Sequence, residues 1–315
     1  MLPTRSGSLR LFQFSGIEVF LHWSWFIVGA FEINNRSDHY SSITWNILEY
    51  LSLFLIVLLH EFGHSLACRQ VGGSANQIVL WPLGGVAFVS PPPRPGATLW
   101  SIAAGPLVNV VLFPLLVGGY WLARTSGWEQ SNPDAFNYLT AVSVINGALL
   151  VFNMIPVYPL DGGQILRSLL WYVMGRGRSL LVSTLIGFVG GSALLGLAAW
   201  FGSIWIAIMA GFLLWQCSIS FRQARVLTRL ESAPRRLDSF CPACSQSPSI
   251  GAYWLCGRCR QPFDTFESGG VCPSCSTSFA QTMCLNCGAL SQMADWMSRP
   301  KDPPLTPPPL PRESV

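Results

Sequence analysis

Apolar residues dominate the first two thirds of the chain and gather into six stretches separated by short polar segments. The stretches cover residues 17–33, 47–68, 98–123, 138–157, 180–200 and 202–221. Each approaches or reaches the roughly 20 residues that a helix needs to cross a hydrocarbon core of about 30 Å. The pattern therefore predicts an α-helical multi-pass membrane protein with about six transmembrane helices.

A further apolar segment, QIVLWPLGGVAF at 77–88, is too short to cross a membrane, and its Pro82 and Gly84-Gly85 interrupt a helix. We expect a short re-entrant β-hairpin at the membrane edge. Irregular backbone at that depth is stable only where protein or a water-filled cavity satisfies its polar groups. The hairpin thus indicates a cavity of the kind that a hydrolytic site needs. A short strand pair is also plausible at 9–20.

Charge divides the chain near residue 221. Charged residues make up 11% of the sequence, against roughly 25% in soluble globular proteins. Residues 1–221 carry nine arginines and eight acidic residues, whereas the much shorter remainder carries ten basic and seven acidic residues and eight of the ten cysteines. We predict a membrane domain at 1–221 and a basic juxtamembrane linker at 222–240. The linker is either a short helix on anionic lipid or a solvated continuation of the sixth span.

The basic residues also predict an orientation in the lipid bilayer. If the N-terminus is cytosolic, 17 of the 19 Lys and Arg residues lie on the cytosolic side, and only Arg36 and Arg124 lie outside. This distribution follows the positive-inside rule. The cysteine-rich tail would then be cytosolic. The net charge of +4 is too small and too dispersed to indicate nucleic acid as a partner.

The second apolar stretch contains the pentapeptide His60-Glu61-Phe62-Gly63-His64. Two histidines at i and i+4 lie about 40° apart around a helix, so both imidazoles can reach one Zn²⁺ while Glu61 reaches the water that the metal activates. The alternative is a set of polar residues at a helix end. In so apolar a span, however, these residues are costly unless they bind or react.

A catalytic zinc ion generally takes three protein ligands. His22 and His39 are the other histidines of the sequence, so we expect a carboxylate as the third ligand. Asp161, in FNMIPVYPLDGGQILRSL, is the best candidate because it follows the fourth span at the same cytosolic edge. Taken alone, Asp161 would more simply be a helix N-cap.

Five motifs occur in order: GIEVFLHWSWF, HEFGH, LGGVA, AAGPLVN and FNMIPVYPLDGG. Over residues 9–221 the chain resembles the site-2 proteases, a family of intramembrane zinc metalloproteases. The resemblance implies zinc on His60, His64 and Asp161 and a general base at Glu61. It also implies that Asn153 helps to hold the substrate or the developing oxyanion, although this residue alone reads equally as an interhelical hydrogen-bonding group.

The resemblance further implies a substrate and a location. The substrate would be a membrane-spanning protein cleaved in or near its transmembrane segment, with the hairpin receiving the unwound segment as an added strand. The location would be a bacterial cytoplasmic membrane. Asn109, in AAGPLVN, reads as a packing residue or as support for the site.

Eight cysteines form four CxxC pairs in the tail. Taken in order, they predict two structural zinc sites, the first on Cys241, Cys244, Cys256 and Cys259 and the second on Cys272, Cys275, Cys284 and Cys287. The segment 241–288 is then a double zinc ribbon, since a reducing cytosol disfavours disulfides. The Pro-rich segment 289–315 is predicted to be disordered.

The ribbons favour a regulatory protein as partner over nucleic acid, because Arg258 and Arg260 make no convincing basic stripe. Two other functions compete with proteolysis: a catalytically silent membrane scaffold that recruits partners through its ribbons, and a transporter. An intact Glu61 disfavours the scaffold, and histidines at a span end beside a hairpin disfavour the transporter. A protease of this kind would hold three zinc ions, and a scaffold with a metal-free core two.

Overall fold

The computed structural model describes residues 7–81 and 84–296, which fall into two compact units, Met1–Leu227 and Thr228–Val315. In chain order the first unit contains β1 (Ser8–Phe14), β2 (Ile17–His22), α1 (Ser24–Asn35), α2 (Ile43–Gln70), β3 (Ser74–Trp81), β4 (Gly84–Ser90), α3 (Pro95–Thr125), α4 (Trp128–Ser131), α5 (Pro133–Met154), α6 (Asp161–Met174), α7 (Arg176–Phe201) and α8 (Ile204–Ser232). Helix α8 continues into the second unit.

Among the described residues, five helices are long and apolar enough to cross a membrane: α2, α3, α5, α7 and α8. The span predicted at 17–33 is wrong as a single helix. Residues 17–22 form a strand, and α1 has only 12 residues, a length of about 18 Å. The alternation of branched and aromatic residues on either side of Gly16, whose φ is +74°, favours a tight turn between two strands.

A four-stranded sheet in the order β1-β2-β3-β4 lies beside α2. Strands β2 and β3 run parallel because α1 and α2 connect them as a crossover. Strands β3 and β4 form an antiparallel hairpin in which Ile78 opposes Ala87. The hairpin predicted at 77–88 is therefore formed by the end of β3 and most of β4. Pro82 lies outside the described residues. Its depth in a membrane stays a prediction.

The inner face of the sheet packs on α2. Ile17, Val19, Ile78 and Leu80 are almost completely buried and form one cluster with Val57 and Leu58 of the helix. This packing fixes β4, an edge strand of the sheet, next to the turn of α2 that begins at residue 60. On its other side α2 meets α3 so closely that a Cβ at Gly63 would lie 2.6 Å from the carbonyl oxygen of Ala104, as small residues allow in membrane helices.

The second unit contains two short hairpins, β5 (Trp254–Leu255) with β6 (Pro262–Phe263) and β7 (Gln281–Met283) with β8 (Leu290–Gln292). The boundary predicted at residue 288 is wrong. Strand β8 completes the second hairpin, and Trp296 is fully buried among the apolar residues of this unit. The rest of the segment predicted to be disordered, 297–315, lies outside the described residues.

The basic segment 222–240 is largely a continuation of α8, which ends at Ser232. A helix continuous with the sixth span matches the second alternative for the linker, and whether it meets solvent or lipid stays a prediction. The remainder lies within the second unit, where Arg235 forms a bridge with Ser249.

Candidate metal centre

The side chains of His60, His64 and Asp161 meet at one point inside the first unit. Nε2 of His60 lies 3.0 Å from Oδ2 of Asp161, and Nε2 of His64 lies 3.1 Å from Nε2 of His60 and 3.5 Å from the same carboxylate oxygen. A tetrahedral zinc ion with bonds of about 2.0–2.1 Å would separate its ligand atoms by about 3.3 Å. Two imidazoles and a carboxylate at these distances fit zinc.

Asp161 reaches this point as the first residue of α6. Its side chain does not cap the helix, since Leu160 occupies the N-cap position. The following glycines allow the first turn of α6 to pack on the preceding loop: a Cβ at Gly162 would lie 2.4 Å from the carbonyl oxygen of Met154, and one at Gly163 would lie 2.3 Å from the nitrogen of Tyr158. Loop and helix thus hold the carboxylate in place.

Helix α3 orients both histidine rings through their second nitrogens. Nδ1 of His60 lies 2.7 Å from Oδ1 of Asn109, and Nδ1 of His64 lies 2.9 Å from the carbonyl oxygen of Ser101. Metal-bound histidines usually make this kind of contact. Each ring consequently turns its Nε2 toward Asp161.

Glu61, a residue of α2, is buried against the edge strand β4. The N–H of Ala87 donates a hydrogen bond of 2.9 Å to Oε2 of Glu61. A Cβ at Gly85 would lie only 2.2 Å from Cγ of Glu61, so the strand backbone packs directly on the glutamate. The carboxylate is close enough to both histidines and to Asp161 to interact with them electrostatically.

Two buried amides extend the site beyond the three candidate metal ligands and Glu61. Asn109 and Asn146 are both fully buried, and Nδ2 of Asn109 donates to Oδ1 of Asn146 at 2.8 Å. Asn109 supports His60, whereas Asn146 was not singled out from the sequence. Its signal was an amide in the middle of an apolar stretch, which is costly in a membrane helix without a partner. Asn153 is half-buried near the end of α5, and its contact with a substrate stays a prediction.

Comparisons with known proteins identify relatives of this chain. A family model described as Peptidase family M50 matches residues 125–197. A zinc metalloprotease of Methanocaldococcus jannaschii is 36% identical over 180 residues, which cover 57% of this chain and 50% of that protein. Stage IV sporulation protein FB of Bacillus subtilis is 31% identical over 126 residues, covering 39% of this chain and 41% of that one.

A solved structure is also similar to this chain. The site-2 protease from Methanocaldococcus jannaschii aligns with 68% of this chain and 95% of its own, at 31% identity and a TM-score of 0.51. This chain belongs to the site-2 protease family. It spans between 50% and 63% of the length of the first curated relatives that it matches.

This site-2 protease family member also carries two cysteine clusters in its second unit, which fit zinc ribbons. The cysteine pairing predicted from the order of the CxxC pairs is wrong. The outer pairs form one cluster, Cys241, Cys244, Cys284 and Cys287, and the inner pairs form the other, Cys256, Cys259, Cys272 and Cys275. Neighbouring sulfurs within the clusters are 3.5–3.8 Å apart. Tetrahedral zinc–thiolate bonds of about 2.3 Å give a separation of about 3.8 Å.

The nested pairing has a simple origin in the chain path. The second and third CxxC pairs face each other, so the chain doubles back and brings the first pair onto the last. Trp254, Phe266 and Trp296 fill the space between the two clusters and form one shared apolar core with the buried cysteines. The unit is therefore one structure with nested cysteine clusters and not two ribbons in tandem.

Proposed function

We propose that this chain is a zinc metalloprotease that hydrolyses peptide bonds in or near the transmembrane segments of other proteins. The observation that carries the proposal is the convergence of two imidazole nitrogens and one carboxylate oxygen at zinc-like distances, next to a buried glutamate. The family supports a metalloprotease, and the apolar helices support a substrate in the bilayer.

The residues around the site have distinct roles in this mechanism. His60, His64 and Asp161 would hold zinc, which when bound supplies Lewis-acid activation of water and of the scissile carbonyl. Glu61 accepts a proton from the attacking water and returns it to the leaving amine. The hydrogen bond from Ala87 keeps the Glu61 carboxylate in position between these two transfers.

A substrate helix has to unwind before it is cut, because its i to i−4 hydrogen bonds occupy the carbonyl groups. Strand β4 offers a partner for the unwound segment. It is an edge strand, so an extended peptide can be added to it, although the N–H of Ala87 is already bonded to Glu61. Since Gly85 and Ala87 contact Glu61, a peptide added to β4 would lie beside the general base.

The location and the ribbons complete the proposal. A cytoplasmic membrane with a cytosolic N-terminus and tail agrees with the distribution of Lys and Arg. Two structural zinc ions would stabilise the second unit, which has a small apolar core. The zinc ribbons would bind a regulatory protein in the cytosol. Including the site at His60, His64 and Asp161, the chain would hold three zinc ions.

The test is cleavage of single-span membrane substrates by the purified full chain in detergent, with bound zinc counted in the same samples. We expect the wild type to cleave and Glu61→Gln to be inactive, with equal zinc content in both proteins. Cleavage by Glu61→Gln would contradict the role of Glu61. No cleavage by the wild type, together with only two zinc ions per chain, would favour the silent scaffold.

Helix α2 offers a matched control for this experiment. Glu49 is as buried as Glu61, with 6% of its surface exposed in each case. It contacts Arg36 and the hydroxyl of Tyr40 instead of the metal ligands. Glu49→Gln removes the same charge from the same helix and should keep cleavage. If only Glu61→Gln is inactive, the loss is due to the place of Glu61 beside the metal ligands and not to a buried amide in α2.

A further inference from the structure

The contact between His60 and Asn109 is the first link of a chain that crosses three helices. Nδ1 of His60 on α2 meets Oδ1 of Asn109 on α3 at 2.7 Å, and Nδ2 of Asn109 donates to Oδ1 of Asn146 on α5 at 2.8 Å. Nδ2 of Asn146 then donates to the main-chain carbonyl of Asn109 at 3.0 Å. Both amides are fully buried, so water does not compete for these bonds.

The last link sets the direction of all the others. A main-chain carbonyl can only accept, so the Asn146 atom that faces it must be the amide nitrogen. The oxygen of Asn146 then faces Asn109 and accepts a hydrogen bond from the Asn109 amide nitrogen. This turns the Asn109 oxygen toward His60, where it accepts from Nδ1–H. His60 is thereby held in the tautomer whose Nε2 lone pair points at the metal position.

We propose that Asn146 is a positioning residue that fixes the tautomer of His60 through Asn109. The inference rests on the proposed function, because the tautomer matters only if Nε2 of His60 binds a metal. His64 needs no such relay, since its Nδ1 meets the carbonyl oxygen of Ser101 directly. His60 needs one because a free asparagine amide can turn over and offer its nitrogen instead.

Without Asn146, the Asn109 amide has two orientations of similar energy. In the flipped orientation its nitrogen donates to Nδ1 of His60, which places the ring proton on Nε2. That proton points at Asp161 and has to leave before a metal can bind. Loss of a residue that supports a metal ligand typically weakens metal affinity by 10- to 100-fold, and we expect a loss in that range for Asn146→Leu, which has a similar volume.

The test measures zinc affinity of the full chain in detergent for wild type, Asn146→Leu and Asn146→Leu/Asn109→Asp. A carboxylate at position 109 accepts from Nδ1–H in either orientation, so it needs no relay. We expect the double variant to recover most of the affinity that the single variant loses. Equal affinity in Asn146→Leu and wild type, or a double variant that binds no better than the single one, would overturn the relay.

Two further readouts separate this result from a general loss of structure. The two ribbon zincs serve as an internal reference for folding and should be unchanged. Nitrogen-15 spectra of the four histidines should show His60 protonated at Nδ1 in the wild type and a mixture in Asn146→Leu. If the wild type itself holds only two zinc ions, the proposed function fails. If it holds three and Asn146→Leu matches it, only the relay fails.

Discussion

Gly105 lies directly against the metal-facing edge of His64. A Cβ at position 105 would be 2.2 Å from Nε2 and 2.3 Å from Cε1 of that ring. The backbone of α3 thus forms one wall of the metal site, and the wall has no space for any side chain. The motif AAGPLVN therefore contributes a glycine as well as Asn109 to the site.

We predict that Gly105→Ala prevents metal binding at the site of His60, His64 and Asp161. The new methyl group would occupy the space that the His64 ring needs to reach the metal. Zinc counting should give one ion fewer than in the wild type, and cleavage should fall to background. The matched control is Gly118→Ala on the same helix, since a Cβ there has no neighbour within 4 Å. Full zinc content in Gly105→Ala would show that His64 has another way to reach the metal.

Gly85→Ala is predicted to act on catalysis and not on the metal. The added Cβ would overlap Cγ of Glu61, so the general base has to move while the three ligands stay in place. We expect normal zinc content and at least a tenfold lower kcat, since a misplaced base loses part of the 10²- to 10⁴-fold that general base catalysis supplies. Val86→Ala, one residue along β4 on the opposite face of the strand, should keep kcat within about twofold. A Gly85→Ala protein with normal kcat would place Glu61 outside the proton transfers.

Local patterns in the sequence were sufficient to bring forward His60, His64 and Asp161, whose side chains meet in the structure, while zinc binding there stays a prediction. HEFGH at helical spacing and Asp161 after an apolar stretch define the three ligand positions, because each signal lies within a few residues. Asn146 could not be assigned in the same way. Its role depends on α5 packing against α3 at one register, and no spacing within a single helix reports a contact between residues 37 apart in sequence.

The first span and the cysteine pairing were mispredicted for related reasons. A run of apolar residues at 17–33 predicts a membrane helix by its hydrophobicity. In the structure residues 17–22 form the buried strand β2, and the short helix α1 follows it. The CxxC pairs carry strong information about zinc but none about which pairs meet. That choice depends on the path of the chain between them and on the shared core around Trp296.

The nested pairing predicts how cysteine substitutions combine. Cys241 and Cys287 belong to one cluster, whereas Cys241 and Cys256 belong to different clusters. Cys241→Ser/Cys287→Ser should therefore lose one zinc ion, and Cys241→Ser/Cys256→Ser should lose two. Pairing in sequence order would give one lost ion for the second combination. The zinc content of the two double variants distinguishes the two arrangements. The zinc ion expected at His60, His64 and Asp161 serves as a reference for an intact first unit.

Asp264 stabilises the second unit through hydrogen bonds to Arg236 and Gly251, which are distant from it in sequence. Its buried carboxylate accepts from Arg236 at 2.7 Å and from the N–H groups of Gly251 and Phe266 at 2.8 and 3.0 Å. Burial alone would raise the pKa of Asp264, but the hydrogen bonds from Gly251 and Arg236 outweigh it and hold the pKa below its ordinary value. The stability that this group adds is present above its unfolded pKa of about 3.9 and is lost as the pH falls through the lower folded value.

We therefore predict that Asp264→Ala lowers the free energy of unfolding of the second unit by about 3 kcal/mol, because Arg236 and the N–H groups of Gly251, Phe266 and Glu267 lose their acceptor. The loss should be equal at pH 7 and pH 5, since both values lie above both pKa values of the carboxyl group. Denaturant unfolding followed by zinc release measures it. Asp238→Ala removes an exposed carboxylate from the same unit and should change the free energy by less than about 0.5 kcal/mol. Equal effects of the two substitutions would mean that the bonds to Asp264 add no net stability.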